Sequence, residues 1–149
     1  MGTTGGGVWV HNSCGSNSKK LGDALTTDGE PNPEPGTRKW AAHHLVESGK
    51  DEADGSRRLL EAYGVPINSK VNGVWLPNGA KNAVLGPIQY TTHQNFPASY
   101  AEAVQEYLVL KTQGIDRTNT PAMKDALTKV LGDIKLKLQT GNGPFPWSM

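Results

Sequence analysis

The chain of 149 residues holds one cysteine, Cys14, so no disulfide can close within it and no zinc site built on several thiolates can form. Large rings are scarce, with two Phe and four each of Trp and Tyr, and the hydrophobic fraction is only 36%. No apolar run approaches the roughly 20 residues that a helix needs to cross a bilayer, so membrane insertion by this chain is not expected. A basic segment followed by an apolar one, the mark of a secretory leader, is missing too, and any export signal is expected to lie outside this sequence. Charge of one sign is also lacking: 15 Lys and Arg face 14 Asp and Glu, for a net charge of +1. Residues 76–149 carry seven basic against five acidic residues and residues 1–75 eight against nine, so a groove for a polyanion would have to be local.

Glycine (18) and proline (10) are what the chain has in quantity. They mark a loop-rich protein whose length suits one domain. Residues 1–38, rich in Gly, Ser, Asn and Pro, read as an irregular N-terminal segment or linker, and residues 39–149 as the folded domain. The run from Asp28 to Gly36 must be irregular, because each proline lacks a donor and restricts the residue before it. Trp40 to Val46 predicts a short strand. Glu52 to Tyr63 predicts a helix with Leu59, Leu60 and Tyr63 on one side, stopped by Gly64 and Pro66. Val71 to Pro77 pairs an Asn-Gly turn signal with a second apolar strand, and Ile88-Gln89-Tyr90 offers a further extended piece. A helix starting at Pro97 repeats Tyr100, Val104, Tyr107 and Leu108 at helical spacing and closes at Gly114. A last helix opens with Thr120 as cap and Pro121 as first residue. Its stripe of Met123, Leu127, Leu131, Ile134 and Leu138 is a core face, and it ends near Gly141. The expectation is an α+β domain with little sheet.

Against this background the adjacent pair His43-His44 stands out, because the chain has four histidines in all. Imidazole accepts protons near neutral pH and also ligates transition metals. On a strand, neighbouring side chains point to opposite faces, so two adjacent rings can take different jobs. An exposed polar pair on a half-buried strand is the plainer alternative. Asn72 at the second strand's turn and His93 just ahead of the Pro97 helix are the companion polar signals. Two strands and a helix bearing these residues could form a ββα unit in which His43 and His93 meet at one metal ion. His44 would then face the scissile group and take a proton from water.

The run Ala42-His43-His44-Leu45-Val46, then Arg58-Leu59-Leu60, Tyr63 to Asn68, Asn72-Gly73-Val74-Trp75-Leu76-Pro77, and His93 ahead of Tyr100, resembles the AHH nucleases. These are a branch of the HNH (His-Me finger) endonuclease superfamily found as C-terminal toxin domains of bacterial polymorphic toxins. The resemblance covers about Trp40 to Leu108, and the two segments Ala-His-His and Asn-Gly-Val-x-Leu-Pro in this order carry it. Val10-His11-Asn12 is similar to the Val-His-Asn junction that separates the delivery part of such toxins from the toxin domain, which makes His11 a boundary marker.

The resemblance implies a ββα-metal core with additional packed helices, in which His44 and Asn72 form the catalytic set, His44 as general base and Asn72 as brace of the turn between the finger strands. It implies His43 and His93 as metal ligands, with Asn95 or Gln94 as an alternative oxygen donor. Many relatives carry a second histidine four residues after the one matching His93, and here that position is Pro97. The implied cofactor is one divalent ion. Two imidazoles suit zinc, nickel or manganese, whereas cellular abundance favours magnesium, so its identity stays open. The implied activity is hydrolysis of DNA phosphodiesters by a toxin secreted as part of a larger protein and active in the cytoplasm of a target bacterial cell, with a cognate immunity protein as partner. Lys81, Lys111 and Arg117 are the candidate DNA-phosphate contacts. An RNase of the same fold, or a non-catalytic interaction domain whose metal site has decayed at Pro97, are the alternatives.

Overall fold

A computed structural model describes residues 9–82, 84–85, 88–89 and 96–141. Strand β1 (Trp40–His44) pairs antiparallel with β2 (Gly73–Pro77) in a register that sets Ala42 opposite Trp75, His43 opposite Val74 and His44 opposite Gly73. The strands are not joined by a tight turn. Between them run a 3₁₀ turn at Asp51–Ala53, helix α2 (Asp54–Ala62) and a loop entered through Gly64, whose φ of +74° is the left-handed conformation expected after a helix. A second 3₁₀ turn, Lys70–Asn72, leads into β2. The Asn-Gly pair is therefore no hairpin turn: Gly73 has φ −131° and is plain extended backbone. A separate antiparallel pair joins β3 (Val84–Leu85) to β4 (Ile88–Gln89); the extended piece predicted at Ile88-Gln89-Tyr90 is present at 88–89, Tyr90 lies outside the described residues, and the partner strand at 84–85 was not predicted. Helices α3 (Ala98–Lys111) and α4 (Thr120–Gln139) follow.

The core lies between one face of the β1–β2 sheet and these last two helices. Val74 and Leu76 of β2 meet Tyr100, Val104, Tyr107 and Leu108 of α3 and Leu127, Leu131, Ile134 and Leu138 of α4. Both helical stripes predicted from the sequence are buried as expected, and every member of the α4 stripe is 0% exposed. The cap of α4 lies one residue earlier than predicted. Asn119, not Thr120, accepts the N–H of Ala122 through its side chain, because a cap needs a side-chain acceptor aimed at the first free amides.

The largest correction concerns the N-terminal stretch, predicted to be irregular. Residues Trp9–Thr27 form helix α1. Its Gly, Ser and Asn content argues against a helix on propensity, but Leu21 and Leu25, four apart on one face, are both 0% exposed and pack with Ala42 and Trp75 on the outer face of the sheet. Tertiary burial of a short apolar stripe outweighs weak intrinsic preference. Two glycines permit the close approach. A Cβ on Gly73 would stand 2.7 Å from Leu21 Cδ1, and one on Gly22 would stand 3.1 Å from the Trp75 ring. Ser18 adds a bond from its hydroxyl to the Ala42 carbonyl (2.8 Å), and Trp75 donates its indole N–H to the Glu30 carbonyl (2.8 Å). The proline tract from 31 to 35 is irregular, as predicted.

Candidate active site

The strand alternation sends His43 and His44 to different surroundings. His43 lies on the core face and is 5% exposed. Its ring stacks on Phe96 with centroids 4.1 Å apart and meets the edge of Tyr100 at 5.9 Å. His44 shares the face of Ala42 and Gly73, the side covered by α1, and is 8% exposed. Its Nε2 lies 2.7 Å from Asn68 Oδ1. Burial holds the His44 imidazole below its ordinary value of 6.5, and the bond to Asn68 opposes that shift. A buried neutral imidazole is the form that can accept a proton.

Asn72 is 0% exposed and spends its whole carboxamide on backbone. Its Oδ1 accepts the Val46 N–H (2.8 Å), and its Nδ2 donates to the carbonyls of Val46 (3.1 Å) and Ile67 (3.0 Å). Its own carbonyl accepts the Leu45 N–H at 2.9 Å. The chain leaving His44 is thus tied at Leu45 and Val46 to the turn that starts β2. The Asn72 side chain ties the exit of β1 to the 67–72 loop, and the strands have no direct turn between them for it to brace. Tyr100 adds to the frame, its hydroxyl donating to the Leu45 carbonyl at 2.8 Å.

Three charged residues not predicted from the sequence, Glu47, Lys50 and Arg57, form a network that reaches Phe96, the ring against His43. Lys50 Nζ donates to the Phe96 carbonyl (2.6 Å) and lies 3.4 Å from Glu47 Oε2. Arg57 clamps the same loop, its Nη1 donating to the carbonyls of Glu47 (2.9 Å) and Lys50 (2.7 Å). Glu47 Oε1 is buried and has no hydrogen-bond partner among the described residues. Burial raises the Glu47 carboxyl above its ordinary range, with Lys50 pulling it back. The Tyr100 hydroxyl is pushed well up, by burial first and by the charge of Glu47 second. A glutamate three residues after the histidine pair has no period or motif to announce it. Its role becomes visible only when the loop folds back onto α3.

His93 and Asn95, the other predicted ligands, lie outside the described residues, as does Gln94. Among the described residues no group of three His, Cys, Asp or Glu side chains stands ready to hold a metal ion. Two potential donors lie on either side of Phe96: the buried His43 imidazole, in ring contact with it, and the Glu47 carboxylate, connected to it only through Lys50. Such a nitrogen-and-oxygen set fits a divalent ion that keeps several positions for water and phosphate oxygens.

The three basic residues expected to line a DNA groove are exposed but not gathered with the histidines. Lys111 ends α3, and at about 1.5 Å per residue it stands roughly 16 Å along the axis from Tyr100. Its ammonium instead sits 5.5 Å from the centroid of the Tyr107 ring. Arg117 follows in the α3–α4 loop, where its carbonyl accepts the Tyr63 hydroxyl (2.8 Å). Lys81 lies in the 3₁₀ turn Ala80–Asn82, beyond the Pro77 end of β2, while His44 faces the Gly73 end. The three candidate contacts thus stand on three different elements. Charge spacing along a sequence does not report which end of a helix or hairpin a residue reaches.

A two-stranded antiparallel sheet with a histidine pair at its end, braced by a buried asparagine and backed by a helix, defines an α+β domain of the HNH-like kind. The chain belongs to the AHH family: the model of this nuclease family of the HNH/ENDO VII superfamily, with conserved AHH, matches residues 26–137. Ala42-His43-His44 is the chain's own copy of that motif. No curated protein and no solved structure matches the chain. The family makes this a nuclease, with nucleic acid as its substrate. No helix among the described residues is long and apolar enough to cross a membrane.

Proposed function

We propose that the protein is a metal-dependent endonuclease that hydrolyses DNA phosphodiesters, with His44 as the general base. The observation that carries this reading is the state of His44 within the family motif: a buried ring, held neutral and fixed through one nitrogen by Asn68. A neutral imidazole at pH 7 takes a proton from an attacking water, and general base catalysis of this kind is worth ~10²–10⁴ in rate. His43 would hold a divalent ion together with His93, and the Glu47 carboxylate, connected to Phe96 through Lys50, is a candidate oxygen donor. When bound, such an ion supplies charge stabilisation at the phosphate and the leaving oxygen. Asn72 and Tyr100 tie the chain just after the pair, at Leu45 and Val46, and so keep both imidazoles in fixed positions at the end of the sheet.

In this reading the domain is the C-terminal effector of a larger secreted toxin, acts in the cytoplasm of a target bacterial cell, and is neutralised in its producer by a cognate immunity protein. The resemblance of Val10-His11-Asn12 to a toxin junction supports that context. The test is incubation of the protein with supercoiled plasmid and, separately, with total RNA, with and without EDTA. Plasmid nicking that EDTA stops supports the DNA assignment. Degradation of RNA alone replaces it with the ribonuclease reading, and absence of both activities in the folded protein supports the non-catalytic one.

A further inference from the structure

Asn68 lies in the loop between α2 and β2, and its side chain reaches across to the histidine strand. The loop that carries it is fixed on both sides. Ile67, its neighbour, has its carbonyl held by Asn72 Nδ2 at 3.0 Å, and the Ser69 hydroxyl donates to the Pro66 carbonyl at 2.8 Å. The Asn72 N–H closes the turn onto the Ser69 carbonyl at 3.0 Å. The same Asn72 carboxamide grips Val46, two residues beyond His44. One buried side chain thus holds both partners of the His44–Asn68 contact at a fixed separation. With His44 only 8% exposed, water has little room to replace Asn68.

We infer that Asn68 is a positioning residue that fixes the tautomer of His44, its Oδ1 accepting the Nε2–H so that Nδ1 is the atom that takes the proton. A carboxamide oxygen only accepts, so the ring nitrogen facing it must carry a hydrogen. A neutral imidazole has one N–H, which leaves the lone pair on the other nitrogen. The bond also fixes the ring plane, and with it the direction in which Nδ1 meets water. This inference rests on His44 being the base of the proposed reaction, but its first test does not use activity.

Long-range ¹H–¹⁵N correlation NMR of the metal-free full chain, with the His44 signals assigned by their loss in His44→Ala, reads which ring nitrogen carries the hydrogen. The expected result is a single neutral tautomer with hydrogen on Nε2 and a pyridine-type Nδ1. Hydrogen on Nδ1 in the wild-type protein overturns the inference, because Asn68 would then present its Nδ2 to the ring. In Asn68→Ala the two tautomers should mix, whereas Asn68→Asp, which keeps an accepting oxygen, should retain hydrogen on Nε2. An unchanged tautomer in a folded Asn68→Ala protein also overturns it. In steady-state cleavage, Asn68→Ala should lower kcat about 10- to 100-fold, a range taken from the loss on removing the outer hydrogen-bond partner of a metal-ligating histidine, with KM unchanged. A fall confined to KM would contradict the positioning role. Full activity of His44→Ala would instead remove the base assignment and leave the tautomer result standing.

Discussion

Replacing Asn72 by alanine is the perturbation whose size the structure defines best. The side chain is fully buried and makes three hydrogen bonds, one accepted from the Val46 N–H and two donated to the carbonyls of Val46 and Ile67. Alanine leaves the Val46 donor with no partner, at a cost of about 1–3 kcal/mol for a buried unsatisfied group. The two carbonyls each lose a bond of about 0.5–1.5 kcal/mol, and the vacated volume adds a packing loss. The sum is roughly 3–5 kcal/mol, a large share of the ~5–15 kcal/mol that holds a domain together. For a chain of this size, ~1 kcal/mol moves Tm by about 2–4 °C, so Tm should fall by about 10 °C. Circular dichroism melts and urea titrations at neutral pH measure both quantities. Asn72→Asp sharpens the test: it keeps the oxygen for Val46 N–H but aims a carboxylate oxygen at two carbonyls. It should be at least as destabilised as Asn72→Ala at pH 7 and regain stability as the pH falls and the carboxyl takes up a proton that it can donate. A loss below about 1 kcal/mol for Asn72→Ala would refute the claim that this residue holds the two halves of the site together.

Leu21→Ala should cost about 2–5 kcal/mol, because a leucine with 0% exposure is the main anchor of α1 on the sheet; a denaturation midpoint equal to that of wild type would show that α1 does not dock there. Tyr100→Phe removes the hydroxyl bond to the Leu45 carbonyl and should lower stability by about 0.5–1.5 kcal/mol, while a gain in Tm would mean that the buried hydroxyl is a net burden. The cleavage rate should be flat from pH 7 to 8 and fall only below 6.5, since burial lowers the His44 value and the neutral ring is the active form; an acid limb centred above pH 7 would assign the titration to another group.

Where a residue's role depends on periodicity, the sequence was enough. The stripes of α3 and α4, the Gly64 stop of α2 and the strand holding the histidine pair could all be read, because burial imposes a spacing that the chain must display. Helix α1 was not legible. Its packing rests on two leucines and on the absence of side chains at Gly22 and Gly73, and such an approach between distant segments leaves only a composition that resembles a linker. Gly73 shows the same limit from the other side: Asn-Gly reads as a turn, yet here the glycine makes room for Leu21 while the asparagine reaches backwards to Val46 and Ile67. In the site, His43, His44 and Asn72 were visible through their motif. Asn68 stood in a segment of the resemblance with no role attached, and Glu47, Lys50 and Arg57 were not visible, because their partners are a ring, a carbonyl or a charge that only the folded loop brings near.

Plasmid nicking by wild type and His44→Ala, each with a divalent ion and with EDTA, decides whether His44 is the base of a metal-dependent DNA hydrolysis. The wild type should nick plasmid until EDTA is added, and a folded His44→Ala protein should be at least ~10²-fold slower. Nicking by His44→Ala at the wild-type rate, or wild-type nicking that survives EDTA, would contradict that assignment.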